Sequence, residues 1–289
     1  MNSWKWILTQ LTIVAGLIVL SCAIAPLIVG HVSYPLDRVL SRVIMAFILM
    51  GVVILLAKYR PKHWIQWGWQ RKDHRLELFL AGFLITMIIL TAFSGIQAGF
   101  GAKRLVAENL HQLARKIPVY VFGAFAVGIL EEFLFRGILF GVLKERISTA
   151  RALFWTSFVY AAVHFLRTND SMNVMNPTIM DSFKVLGTLF QLFAQPELIW
   201  QSFLGLFILG LVLNHLYLKT NSLFLPIGLH AGAVFFLKLK KFFVIDGSEQ
   251  NLWWWGTSRF YDGLAGWVVM GVLWVGVLWY LKKRKLFLS

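Results

Sequence analysis

Cysteine is almost absent from this chain: Cys22 is the one thiol in 289 residues. A single cysteine cannot build an intramolecular disulfide framework or a cysteine-based zinc site. Charge is scarce as well. Asp, Glu, Lys and Arg make up 14% of the residues against 58% hydrophobic, more apolar surface than a soluble protein of this length could hide. Acidic residues are the scarcer sign, 13 against 28 Lys and Arg, which leaves a net charge of +15. No segment is long or polar enough to form a soluble basic domain, so nucleic-acid binding is excluded. The excess instead fits loop lysines and arginines meeting anionic lipid headgroups. A glycine-rich nucleotide loop ending in Lys-Ser/Thr is missing, and there is no internal repeat or low-complexity tract.

What is present is a series of apolar runs, at 7–29, 39–57, 76–96, 119–143, 150–166, 198–218, 223–237 and 264–281. Runs of this length are transmembrane-helix candidates. The expected fold is therefore all-α: one polytopic transmembrane domain over 1–289, with about eight membrane-spanning helices around a polar intramembrane cavity. Lys5 before the first run gives it the look of a signal peptide, but the run is long enough to span. The loop after the second run holds Trp64, Trp67 and Trp69 among six Lys and Arg, a basic interfacial loop expected to face the cytoplasm. An even number of spans then puts both termini in the cytoplasm, an arrangement with slightly more loop Lys and Arg inside than outside.

Between 99 and 116, Leu105, Val106, Leu110 and Leu113 recur at helical spacing between basic pairs, which predicts a surface-lying amphipathic helix. Pro118 then opens the fourth span. The connection 167–197 is long for a compact membrane protein and reads as a lid or a second surface helix. Gly205 and Gly210 predict close packing of the sixth span. Pro226, Gly228 and Gly232 predict an interrupted seventh span lining a cavity, and Trp253, Trp254 and Trp255 an interfacial anchor.

The fourth run carries Leu-Glu-Glu-Phe-Leu-Phe-Arg-Gly at 130–137. A charge at that depth costs roughly 2.5–3.5 kcal/mol by insertion scales, so three are kept only if they face inward and have a use. Glu132 and Arg136 are four apart, share a helix face and can neutralise each other. Glu131 lies about 100° round the helix and is the freer carboxylate, a candidate general base. His164 and His230 sit in other apolar runs; His215 lies near the end of its run, where a plain structural role fits better. Imidazole and carboxylate together can activate a water, and a second imidazole can donate to a developing oxyanion. Those parts suffice for peptide-bond hydrolysis without a covalent nucleophile or a cofactor. Two His and one Glu is also a known catalytic zinc set.

Three motifs in this order resemble the CAAX-protease and bacteriocin-processing family of intramembrane proteases, which includes type II CAAX prenyl endopeptidases and bacterial abortive-infection proteins. They are Glu131-Glu132-x-x-x-Arg136-Gly137, Tyr160-x-x-x-His164, and His230 in Leu-Pro-Ile-Gly-Leu-His, preceded by Gly210-x-x-x-Asn214. The resemblance covers about 119–236, the implied protease core. It implies an eight-helix fold with a cavity and a glutamate-type mechanism: Glu131 as base, His164 helping to activate the water, His230 stabilising the oxyanion, and Glu132 with Arg136 in support. It further implies an integral protein of the bacterial inner membrane acting on a membrane-embedded or lipid-anchored peptide or protein.

Two departures matter. Tyr160 stands where the family usually has Phe. Val234 stands where the family usually has Asn or another small polar residue, which by resemblance is the second oxyanion donor. Losing one such donor typically costs about 10²–10³ in rate. Asn214 and Tyr160 are the candidates to replace it. The alternatives are a catalytically impaired membrane scaffold and, outside the family, a proton-relay transporter, which the lack of paired inverted halves disfavours.

Overall fold

The structure is a computed structural model that describes residues 3–58, 68, 74–107, 110–166, 174, 176–248, 251–257 and 259–287. The Trp64, Trp67 and Trp69 loop lies outside the described residues, as does part of the 167–197 connection. The chain gathers into two compact units, one of residues 1–61 and 162–199, the other of 62–161 and 200–289.

The first unit contains α1 (Ser3–Val29) and α2 (Leu36–Lys58). They pack on each other through Cys22 and Ala25 of α1 and Leu36, Val39 and Leu40 of α2. The thiol of Cys22 is thus an inert part of an apolar core. A short helix, α6 (Ile179–Thr188), adds Val185 to the same cluster. The apolar pattern of the long connection is a real helix, and its inward residues, Ser182 and Val185, dock on its own unit. Thr178 fixes its start with a capping box: Asp181 N–H donates to Thr178 Oγ1 at 3.3 Å, and Thr178 N–H donates to Asp181 Oδ2 at 3.0 Å.

The second unit is built around α8 (Phe224–Lys240), which has eleven buried residues and packs most extensively against α3 (Arg75–Gly99) and α4 (Leu110–Lys144). It is one continuous helix. Pro226 falls in its first turn, where a missing N–H costs nothing, so the expected interruption is not there. The glycines serve another purpose. A Cβ on Gly228 would collide with the Phe79 carbonyl of α3, and one on Gly82 of α3 would lie 2.6 Å from the Leu225 carbonyl. The two backbones meet where neither carries a side chain. The same device joins α7 (Pro196–Thr220) to α5 (Thr149–Val163), since a Cβ on Gly210 would lie 3.0 Å from Ser157 Cα. Gly205 packs on the Tyr261 carbonyl, in a loop and not a helix. After a short helix, α9 (Leu252–Trp255), a last long helix, α10 (Leu264–Lys283), lies along α3.

Two expectations for the segment before the fourth span fail. Residues Lys103–Leu105 form a strand, β1, paired antiparallel with β2 (Val244–Asp246). From Leu110 onward the chain is already α4, which runs through Pro118. A proline well inside a helix is normally disruptive, which is why it reads as a helix start in sequence. Membrane helices tolerate it better.

The structure is all-α apart from the β1–β2 pair. Five described helices are long and apolar enough to cross a membrane: Thr12–Val29, Arg75–Gly99, Leu110–Lys144, Pro196–Thr220 and Leu264–Lys283. This falls short of about eight. The other three runs are helices too, but α5 and α8 have only 15 and 17 residues. At 1.5 Å per residue both are shorter than a hydrocarbon core of about 30 Å. For α8 the reason is visible: it is enclosed by protein, so its apolarity reports burial in the unit.

Candidate active site

Glu131 and Glu132 close the α-helical part of α4, and the helix then widens into a π segment, Phe133–Phe140, before returning to α at Gly141–Lys144. The π segment carries Arg136. Such widened turns recur at functional sites.

Arg136 is fully buried and so is Glu132. Arg136 Nη1 donates to Glu132 Oε1 at 2.8 Å, the pairing expected from their spacing, and Nη2 reaches the Gly210 carbonyl of α7 at 3.5 Å. The guanidinium also lies 4.5 Å above the Tyr160 ring of α5, a cation–π contact. One cation therefore ties α4 to α5 and α7. Breaking a buried pair of this kind by removing one partner costs about 3–5 kcal/mol.

Glu132 does more than balance Arg136. The same Oε1 lies 2.7 Å from His230 Nδ1 of α8. A carboxylate already accepting from a guanidinium has no proton to give, so Nδ1 carries the hydrogen and donates. That fixes the ring and leaves Nε2 as its outward nitrogen. Nε2 faces Glu131, 3.7 Å from Oε2. His230 thus stands between two adjacent glutamates of α4, one holding it and the other in front of it. Tyr160 packs edge-on against it, with ring centroids 6.1 Å apart.

Glu131 is not sealed in apolar surroundings; its side chain is 30% exposed, and Glu132 is the fully buried carboxylate. Neighbours in a helix point about 100° apart, so at a helix contact one of them goes into the seam and the other to its edge.

The remaining sequence candidates fall as follows. Asn214 is buried on α7, one turn beyond Gly210, and its Nδ2 donates to Ser157 Oγ of α5 at 3.0 Å. One of its two amide hydrogens is therefore engaged. Val234 lies one turn after His230 and is half-buried. His215 accepts from Trp274 Nε1 at 3.0 Å, the plain structural role expected of it. His164 is half-buried in the turn that ends α5, one residue past Val163, and that turn belongs to the first unit. The Ser157 hydroxyl on Asn214 and the Gly210 carbonyl on Arg136 have no ionisable group to mark them in the sequence. Their signal is small or hydroxylated residues at helical spacing within apolar runs, which a search for ionisable groups passes over. Among the described residues, no group of three His, Cys, Asp or Glu is arranged to hold a metal ion.

A family model described as type II CAAX prenyl endopeptidase Rce1-like matches residues 113–236, the stretch from α4 to α8 that holds every residue discussed for the site. No curated protein and no solved structure matches the chain significantly.

Proposed function

Since residues 113–236 make this chain a member of the CAAX-protease family, we propose that it is an intramembrane endopeptidase that hydrolyses a peptide bond of a membrane-associated protein or peptide. The observation that carries the reading is the seating of His230 between Glu132 and Glu131. Glu131 is the base that takes the proton from the attacking water. His164, four residues after Tyr160, shares that proton. His230, held through Nδ1, presents Nε2 to the reacting carbonyl and as imidazolium donates to the oxyanion, and Glu131 returns the water's proton to the leaving amine. Glu132 and Arg136 position the imidazole and do not touch substrate. The chain is proposed to sit in the bacterial inner membrane with both termini cytoplasmic, about eight helices in the bilayer, and 119–236 as its protease core.

The test is cleavage of prenylated and unprenylated membrane peptides by the reconstituted protein, read by mass spectrometry. Glu131→Gln and His164→Ala should each abolish it, and a chelator should not. Unchanged cleavage in both variants overturns the mechanism. A second reading follows from Val234, which cannot donate a hydrogen bond: the fold is kept as a membrane scaffold with little turnover. Absence of cleavage with every peptide, alongside stable peptide binding, would favour it.

A further inference from the structure

Away from the site, an open groove of about 490 Å³ runs along α3 and is bounded on one side by Tyr280 of α10. It is lined by Leu76, Leu80, Leu84 and Ile85 of α3, by Tyr280 of α10, and by one charged residue, Glu77. The helices are antiparallel, so the first turn of α3 meets the last turn of α10 at one end of the groove.

That end is a built structure. Glu77 Oε1 accepts from Tyr280 Oη at 3.0 Å and from Arg284 Nε at 2.7 Å, and Oε2 lies 2.8 Å from His74 Nδ1. The carboxylate is used up in clipping the two helix ends together. Beyond it Lys282, Lys283, Arg284 and Lys285 are all exposed. The groove is thus apolar along its length and strongly cationic at one end, with its single acid neutralised. A fatty acyl chain joined to an anionic headgroup has the complementary pattern. Basic pockets between membrane helices take acidic lipid headgroups.

The geometry points to a bound acidic phospholipid, one acyl chain lying in the α3–α10 groove and its phosphate on the Lys282–Lys285 rim. A zwitterionic lipid of the same chain length fills the groove equally well but sets its own cation against the rim. The charge at the rim therefore decides which lipid is held, and the groove decides that a lipid is held at all.

The experiment uses the full-length protein in detergent with equal amounts of phosphatidylglycerol and phosphatidylcholine of identical chains, read by native mass spectrometry. Phosphatidylglycerol should be retained about tenfold over phosphatidylcholine. Replacing Lys282, Lys283 and Lys285 together with Gln should abolish that preference and leave total lipid retention in place. These side chains are exposed, so the variant folds. Leu84→Trp, and separately Leu80→Trp, should fill the groove and remove retention of both lipids. Equal retention of the two lipids by the native chain overturns the proposal. So does an unchanged preference in the lysine variant, or unchanged retention in both tryptophan variants. Displacement of the lipid by millimolar glycerol phosphate also overturns it, because it would show a headgroup site without the groove.

Discussion

Glu132 and His230, on helices 98 residues apart in sequence, are joined by a 2.7 Å hydrogen bond between Oε1 and Nδ1, and the same oxygen accepts from Arg136. One carboxylate oxygen thus serves both the cation that binds α4 to α5 and α7 and the imidazole of α8. In the proposed mechanism, structural and catalytic duties are divided between two neighbouring glutamates.

That division predicts opposite signatures for the two. Glu132→Ala leaves Arg136 buried without its partner and should destabilise the protein by about 3–5 kcal/mol. Glu131→Gln, at a partly exposed position, should leave the thermal midpoint within a degree or two while abolishing cleavage. Thermal unfolding in detergent beside the cleavage assay measures both. Equal destabilisation by the two substitutions would contradict the assignment.

Val234 and Tyr160 give a second prediction. Val234→Asn supplies a donor one turn from His230 and should raise kcat by up to about 10²–10³ if no other group fills that role. If Tyr160 already fills it, Val234→Asn changes little and Tyr160→Phe lowers kcat instead, with KM nearly unchanged. No change in kcat from either substitution would mean that the site works with His230 alone.

The close approach of α3 and α8 predicts that Gly228→Ala destabilises the second unit by about 1–3 kcal/mol, since the new methyl meets the Phe79 carbonyl. Gly95→Ala is the control. It sits on the same α3 with nothing within 4 Å of the new methyl, and its stability should hold or rise slightly.

The start of α6 is pH-sensitive in a known direction. The hydroxyl and amide of Thr178, followed by Lys184, hold the Asp181 carboxyl down from 3.8 to about 2. A depressed carboxylate stabilises its folded surroundings above its ordinary value, and that contribution fades as pH falls through the folded one. Hydrogen exchange of the α6 amides should therefore show protection intact above pH 4 and lost progressively towards pH 2. Thr178→Val should move the loss to higher pH. Equal protection at pH 2 and pH 5 would refute the capping role.

Much was legible before any fold was known. Helix-forming apolar runs follow from hydropathy, and the Glu132–Arg136 pair follows from a spacing of four. Local rules failed where the partner was distant. Pro118 reads as a helix start because proline usually sits there, yet α4 carries on through it. Leu105 and Val106 fit a helical stripe, but the Lys103–Leu105 strand pairs with Val244–Asp246, some 140 residues away. Gly228 and Gly232 read as breaks in a helix because glycine weakens helices, whereas here they admit the backbone of α3.

By itself, then, the sequence determined that the chain is helical and apolar, that two carboxylates and an arginine sit together in one run, and which family the stretch 113–236 belongs to. Those are properties of composition and short spacing. Only the tertiary structure decided which glutamate is sealed in the seam and which stands at its edge, which nitrogen of His230 is tied down, and that α8 is enclosed by protein. Each of these depends on which helix faces which, and that is settled by where glycines let backbones meet and where one buried cation can reach.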